Sequence, residues 1–422
     1  MVARQPDPQP AESERTENRP EVPSLSQLYA YLTDGCNLAC RHCWLAPALD
    51  ATGRSAAMLP VEAFESVIRQ AKPLGLHTVK LTGGEPLLHP RIDRFLEIVH
   101  REELRLGIET NGLLCTREIA TRIARCKESS VAVSVDGADA ATHEAVRGVP
   151  GSFQSALRGI RELTAAGIRP QIIMSVLRLN AEQVDDVVRL AERLGASSVK
   201  FNVVQPTGRG KQLRAKGFLL DVPELIALGR RVDMEISTTT DLSLYFDYPQ
   251  AFRPLSRMFG SNGCGTCNII GILGLLPSAK YALCGIGEHI PELVFGSVES
   301  DPLQDVWAGS GILQTLRAGL PGRLEGVCSR CLMKDACLGS CIADNYYRAR
   351  NLWAPFWFCE QAEELGIFPT SRLTPAPAAK DAGAATTSPQ GEGGNHGDER
   401  RGRARPTDGG YPGRNGHRPS IV

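Results

Sequence analysis

Cys36, Cys40 and Cys43 stand in one short segment with the spacing C-x3-C-x2-C. A [4Fe-4S] cluster is normally held by four thiolates, so a loop that offers three leaves one iron with an open position. An open iron is where a cofactor or substrate binds. A zinc site completed by His42 or a distant ligand is the alternative, but zinc loops usually pair thiols as C-x2-C, and His42 is sequestered between Cys40 and Cys43. A second group runs Cys264-x2-Cys267-x16-Cys284, then Cys328-x2-Cys331-x5-Cys337-x3-Cys341, then Cys359. Those eight thiols match the need of two fully ligated [4Fe-4S] clusters, with two structural zinc sites as the alternative.

These residues need a scaffold, and the apolar pattern supplies one. Short strand-like runs at 28–32, 79–81, 106–109, 131–135, 171–177 and 199–204 alternate with stretches of helical periodicity, such as Phe64, Val67, Ile68 and Ala71, or Val184, Val187, Val188, Leu190 and Ala191. Strands joined by helical crossovers form a parallel sheet that curls into a full or partial barrel, with its site on the loops after the strand ends. The first cysteine loop follows the first strand. Thr82-Gly83-Gly84-Glu85-Pro86 follows the second, Asn111-Gly112 the third, Ser134-Val135-Asp136-Gly137 the fourth, and Asn202 to Arg209 closes the sixth. Gly-Gly-Glu-Pro, Asn-Gly and Asp-Gly also serve as plain turn formers. Cys115, just after Asn111-Gly112, is a candidate hydrogen donor on the same face, or a packed core thiol.

The chain has 422 residues, thirteen cysteines and a formal net charge of zero. That balance removes the electrostatic footprint of a nucleic-acid or membrane-surface protein. The start of the chain carries no apolar targeting run, and the longest apolar stretch near the second thiol group, Ile269 to Leu276, is far below the roughly 20 residues that span a bilayer. A cytoplasmic location without membrane or nucleic-acid partner is expected. Residues 1–24 and 371–422 are rich in Pro, Gly and charge and read as disordered. Beyond about Pro249 the strand rhythm fades while Gly and Cys rise, so we expect a barrel over 25–249 and a Cys-rich domain over 250–370.

Over roughly residues 25–360, the first cysteine loop and the GGEP stretch resemble the radical S-adenosylmethionine (SAM) superfamily, and the C-x2-C-x5-C-x3-C core resembles its SPASM domain. The resemblance implies a partial (β/α)6 TIM barrel of the radical SAM type followed by a small SPASM domain. It implies SAM and a [4Fe-4S] cluster on Cys36, Cys40 and Cys43, with Gly83, Gly84, Glu85 and Pro86 receiving the SAM amino group. Ser134 and Arg147 would contact the SAM carboxylate, and Asn111, Asp136 and Asn202 would lie close by, Asp136 also as a catalytic candidate. By position, one auxiliary cluster would use Cys264, Cys267, Cys284 and Cys341, and the other Cys328, Cys331, Cys337 and Cys359.

The resemblance further implies a 5′-deoxyadenosyl radical that abstracts hydrogen from an unactivated C–H bond, the protein supplying orientation and exclusion of water. Peptide maturases are the members whose pattern fits best. The expected substrate is therefore a peptide or protein, cross-linked through carbon–carbon or thioether bonds or rearranged along its backbone. A reducing donor such as flavodoxin or ferredoxin is an expected partner. With no leader-binding domain before residue 25, a separate leader-peptide-binding protein is another. Gly285 stands after Cys284, where sulfatase maturases carry Asp, which makes sulfatase maturation the weaker reading. Tetrapyrrole or quinone-cofactor assembly and a non-catalytic iron–sulfur scaffold are the remaining alternatives.

Overall fold

The computed structural model describes residues 22–45, 57–258, 267–285 and 289–375. The six expected strands are present: β1 (Gln27–Tyr31), β2 (Thr78–Thr82), β3 (Arg105–Thr110), β4 (Ser130–Ser134), β5 (Gln171–Val176) and β6 (Ser198–Val203). A seventh, β7 (Ser243–Phe246), extends the parallel series beyond the expected six. It is only four residues long, and its lone alternation of Leu244 and Phe246 is too brief to read from sequence.

Each strand turns one apolar set toward the helices. Leu28 and Ala30, Val79 and Leu81, Val131 and Val133, and Val199 and Phe201 are buried in one continuous core. The helix Val61–Ala71 answers with Phe64, Val67, Ile68 and Ala71, and the helix Val184–Arg193 with Val184, Val187, Val188, Leu190 and Ala191. These are the faces the periodicity marks. The opposite, inner face of the sheet is polar, with Tyr29, Lys80, Glu109 and Lys200 on neighbouring or facing strands.

The Cys-rich region joins this sheet. Three short strands, β8 (Ile272–Leu275), β9 (Lys280–Ala282) and β10 (Val294–Ser297), extend it in the order β10-β9-β8-β1-β2-β3-β4-β5-β6-β7. β8 runs parallel to β1, while β9 and β10 fold back antiparallel. The sequence shows no strand rhythm here because every residue of β8 is buried, which erases alternation. The described residues up to Thr374 fall within one compact unit. Of the stretches read as disordered, 1–21 and 376–422 lie outside the described residues, but their inner ends are ordered. The Trp307 indole donates to the Pro23 carbonyl at 2.7 Å, and Leu332 donates to the Arg372 carbonyl at 2.9 Å. Specific hydrogen bonds decide what composition alone does not.

Pairing of β8 with β1 predicts that the chain cannot be cut at Pro249. A fragment ending there leaves the β1 edge unpaired and apolar, which invites aggregation. Expressed alone, residues 1–249 should run as aggregate in size-exclusion chromatography; a monodisperse fragment with native-like circular dichroism would show that the strands after 249 are dispensable.

Candidate functional site

The first cysteine loop has almost no regular structure, so its backbone groups need partners from outside. The end of β2 supplies the first pair: Gly84 N–H donates to the Thr33 carbonyl at 2.8 Å and Glu85 N–H to the Gly35 carbonyl at 2.9 Å. A Cβ on Gly84 would lie 2.0 Å from the Gly35 oxygen, so only glycine permits this approach. The Glu85 carboxylate is buried and accepts from Thr110 Oγ1 at 2.6 Å, Asn111 N–H at 2.8 Å and Leu87 N–H at 3.0 Å. Burial raises its carboxyl pKa, although these donors oppose the rise. Glu85 therefore ties the ends of β2 and β3 together. Asn111 passes the link on by donating to Asn37 Oδ1 at 2.7 Å.

On the other side, the helix Ala140–Arg147 is capped by Asp139, which accepts from Thr142 N–H at 2.8 Å. Its last turn accepts from the cysteine loop, Ala39 and Arg41 donating to the carbonyls of Arg147 and Val146, each at 3.0 Å. Arg147 itself is buried, with its Nε 2.6 Å from Asp136 Oδ2 and its Nη1 donating to Cys40 Sγ at 3.5 Å. Asp136 also accepts from Ser175 N–H at 2.7 Å. Burial works against its ionisation, but the Arg147 guanidinium and the Ser175 N–H hold its carboxyl below the usual range. Breaking such a buried pair from one side costs about 3–5 kcal/mol, so both groups stay charged together. The pair thus sets a guanidinium against the Cys40 sulfur.

His143 and His42 flank the pair. His143 Nδ1 accepts from Asp136 N–H at 3.2 Å, and its ring packs on Phe153. Burial pulls both imidazoles down to about 4, so both are neutral. From the sixth strand end, Arg209 donates to the carbonyls of Cys43, through its amide at 3.1 Å, and Cys40, through Nη1 at 3.0 Å. Sequence reasoning passed over Asn37, Thr110 and Arg209 as working residues. The signal was available: each stands in or beside a motif already singled out.

Of the remaining expected residues, Ser134 is half-buried at the end of β4, and Asn202 projects from β6 with a buried Oδ1 that has no partner among the described residues. Pro86 is buried in the turn after Glu85. Cys115 lies in the apolar core, where burial pushes its thiol up to about 12.

The C-terminal thiols separate into two sets. Burial, with Cys284 and Cys267 close by, pushes the Cys341 thiol well up, and Cys267 and Cys284 also act on Tyr29, and Cys284 on Tyr31, of β1. Cys264 lies outside the described residues. Cys328, Cys331, Cys337 and Cys359 line one cavity with Pro249, Met333 and Phe368, and Cys328 hydrogen-bonds Cys359. Backbone N–H groups reach sulfur in both sets, from Asp344 to Cys341 and from Met333 to Cys331, each at 3.4 Å. Gly285, after Cys284, donates its N–H to the Tyr31 phenol, and a Cβ there would lie 2.2 Å from the ring. No three His, Cys, Asp or Glu side chains among the described residues close on a point that would hold a single metal ion. A cubane, in which each thiolate meets a different iron, does not require that convergence. The three thiols of the first loop, the guanidinium at Cys40 and the unpartnered Asn202 oxygen fit a [4Fe-4S] cluster with a polar cofactor on its open iron.

Gly84→Ala is therefore expected to push the cysteine loop off the sheet and lower iron content after anaerobic reconstitution by about one [4Fe-4S] cluster, roughly four irons. Gly107→Ala, where a Cβ meets nothing nearer than 3.7 Å, serves as the control. Equal iron in both variants would show that the β2 clasp does not hold the loop.

The radical SAM superfamily profile matches residues 30–191. The mycofactocin maturase MftC of Mycobacterium tuberculosis is 29% identical over 362 residues, covering 82% of this chain and 86% of that one. The AdoMet-dependent heme synthase of Nitratidesulfovibrio vulgaris is 34% identical over 358 residues, covering 82% and 92%. Among solved structures, Streptococcus suis SuiB bound to its precursor peptide SuiA superposes with a TM-score of 0.63 at 18% identity, covering 80% of this chain and 76% of that one. Among the described residues no helix is long and apolar enough to cross a membrane. With its cysteine loop clasped by β2, β3, the Ala140–Arg147 helix and the sixth strand end, this chain belongs to the radical SAM superfamily.

Proposed function

We propose that this enzyme modifies a peptide or protein, cross-linking it through carbon–carbon or thioether bonds or rearranging its backbone. When bound, the cluster on Cys36, Cys40 and Cys43 and SAM supply a radical able to take hydrogen from an unactivated C–H bond. The chain's own residues do the positioning. Gly84 and Glu85 fix the loop, Arg147 and Asp136 set the charge beside Cys40, and Ser134 and Asn202 offer polar groups for SAM from β4 and β6. Two auxiliary [4Fe-4S] clusters on Cys264, Cys267, Cys284 and Cys341, and on Cys328, Cys331, Cys337 and Cys359, would take the electron left after a net oxidation. A flavodoxin or ferredoxin would deliver the first electron, and a separate protein would present the leader peptide.

The observation that carries this reading is the inner face of the sheet. Lys80 pairs with Glu109 at 2.7 Å and lies 4.6 Å over the Tyr29 ring, while Lys200 faces Asp247 at 3.8 Å and also acts on Glu109. The attraction of Lys80, helped by Lys200, keeps the Glu109 carboxyl low. Each cation is matched, so the face suits a substrate of mixed, near-neutral polarity such as a peptide. A tetrapyrrole with several carboxylates would favour a surplus of cations. The relation to a maturase points the same way. The heme-synthase relative favours tetrapyrrole chemistry as the second reading.

The two readings separate in one assay. With reconstituted enzyme, dithionite and SAM, 5′-deoxyadenosine formation should rise on adding a precursor peptide encoded beside the gene, with loss of hydrogen mass from that peptide. Stimulation by an iron tetrapyrrole that carries carboxylates, with the peptide left unchanged, would overturn the peptide reading.

A further inference from the structure

The helix Arg209–Ala215 and the turn after it carry Arg209, Lys211, Arg214 and Lys216 with no carboxylate between them, in a chain whose charges balance overall. Cations nearby are matched: Arg178 pairs with Glu224, Arg231 with Asp185, and Arg348 lies 3.6 Å from both Asp344 and Glu360. Among the described residues Lys211, Arg214 and Lys216 make no ion pair. The two lysines are exposed. Arg214 stacks over the Trp357 ring at 4.8 Å, a contact that uses its flat face and leaves its N–H edge for an acceptor. Trp357 is itself fixed by donating to Gln205 Oε1 at 2.8 Å.

Beside these cations lie two large apolar side chains that the fold leaves uncovered. Phe218 is 49% and Leu179 54% exposed, and the two turns meet where Arg178 N–H donates to the Phe218 carbonyl at 3.1 Å. The surface is firmly placed. Leu213 packs with Val146, Leu177 and Val204, and Arg209 holds the helix start to the first cysteine loop. The patch therefore stands at the strand ends where that loop sits.

Unmatched cations attract and orient anions, and adjacent exposed apolar groups mark contact surfaces. We propose that this face docks an acidic segment of the peptide substrate, its carboxylates meeting Lys211, Arg214 and Lys216 and an apolar side chain covering Phe218 and Leu179. The assignment rests on the peptide reading above and deepens it. A balanced inner face then receives the reacting residue, while the charged outer patch holds the chain that carries it.

The test is binding, which needs no turnover. A short fluorescein-labelled peptide of alternating Glu, Gly and Leu should bind the full-length protein at least about tenfold more tightly than its Gln counterpart, as uncompensated charge recognition gives, with the margin shrinking as salt rises. Lys211→Gln/Lys216→Gln should narrow the margin, Lys211→Gln/Arg214→Gln/Lys216→Gln should abolish it, and Phe218→Ala should weaken both probes. Unchanged thermal midpoints check the fold, and the double variant keeps the Arg214–Trp357 stack intact. Equal binding of the two probes, a margin that survives in the triple variant, or tighter patch-dependent binding of oligothymidine or coproporphyrin would overturn the proposal. Failure here leaves peptide-stimulated 5′-deoxyadenosine untouched, whereas failure of that assay removes the reading on which the patch depends.

Discussion

A loop that must present three thiols cannot also be a helix or a strand, and the rest of this structure follows from holding such a loop still. Its backbone would leave donors and acceptors unmet near the core. The fold meets them from several directions: Gly84 and Glu85 from β2, Asn111 from β3, the carbonyls of Val146 and Arg147 from a capped helix, and Arg209 from the sixth strand end. Each contact comes from a different βα unit. That is what a parallel sheet offers, because all its strand ends point to one side. The motif residues are thus first of all fasteners, and the Asp136–Arg147 pair sets a guanidinium against the Cys40 sulfur.

Charge is handled in two ways. On the inner face of the sheet each cation is matched, Lys80 by Glu109 and Lys200 by Asp247. On the helix Arg209–Ala215 and the turn after it, Lys211, Arg214 and Lys216 make no ion pair among the described residues. A neutral interior and a basic rim suit a substrate drawn in by one part of its length and altered at another. The C-terminal thiols border both regions: Cys267 acts on Tyr29 of the inner face, and the helix following Cys341 carries Arg348, whose charge is felt by Arg214.

Much of this was legible in the sequence because it rests on local pattern. The strands β1 to β6 and their helices declare themselves by period, and the thiol groups by spacing. The grouping of Cys267 and Cys284 with Cys341, across a long stretch of chain, is a tertiary fact that spacing alone does not contain. The strand β8 was hidden because full burial removes alternation, and β7 because it is short. The dual engagement of Arg147 with Asp136 and Cys40 was also out of reach, since Cys40 lies 107 residues away and meets the guanidinium only when the cysteine loop packs on the helix end. Gly285 shows the same limit: its neighbour Tyr31 comes from β1, far away in the chain.

Every later step requires that Cys36, Cys40 and Cys43 hold a cluster able to cleave SAM, and this ability can be read out on its own. It is tested most directly by reconstituting the purified chain anaerobically with iron and sulfide, reducing it with dithionite, adding SAM and measuring 5′-deoxyadenosine by chromatography. The parent chain should form the product and Cys40→Ala should not, although the variant should keep whatever iron its C-terminal thiols hold. No product from the parent, or undiminished product from Cys40→Ala, would contradict it.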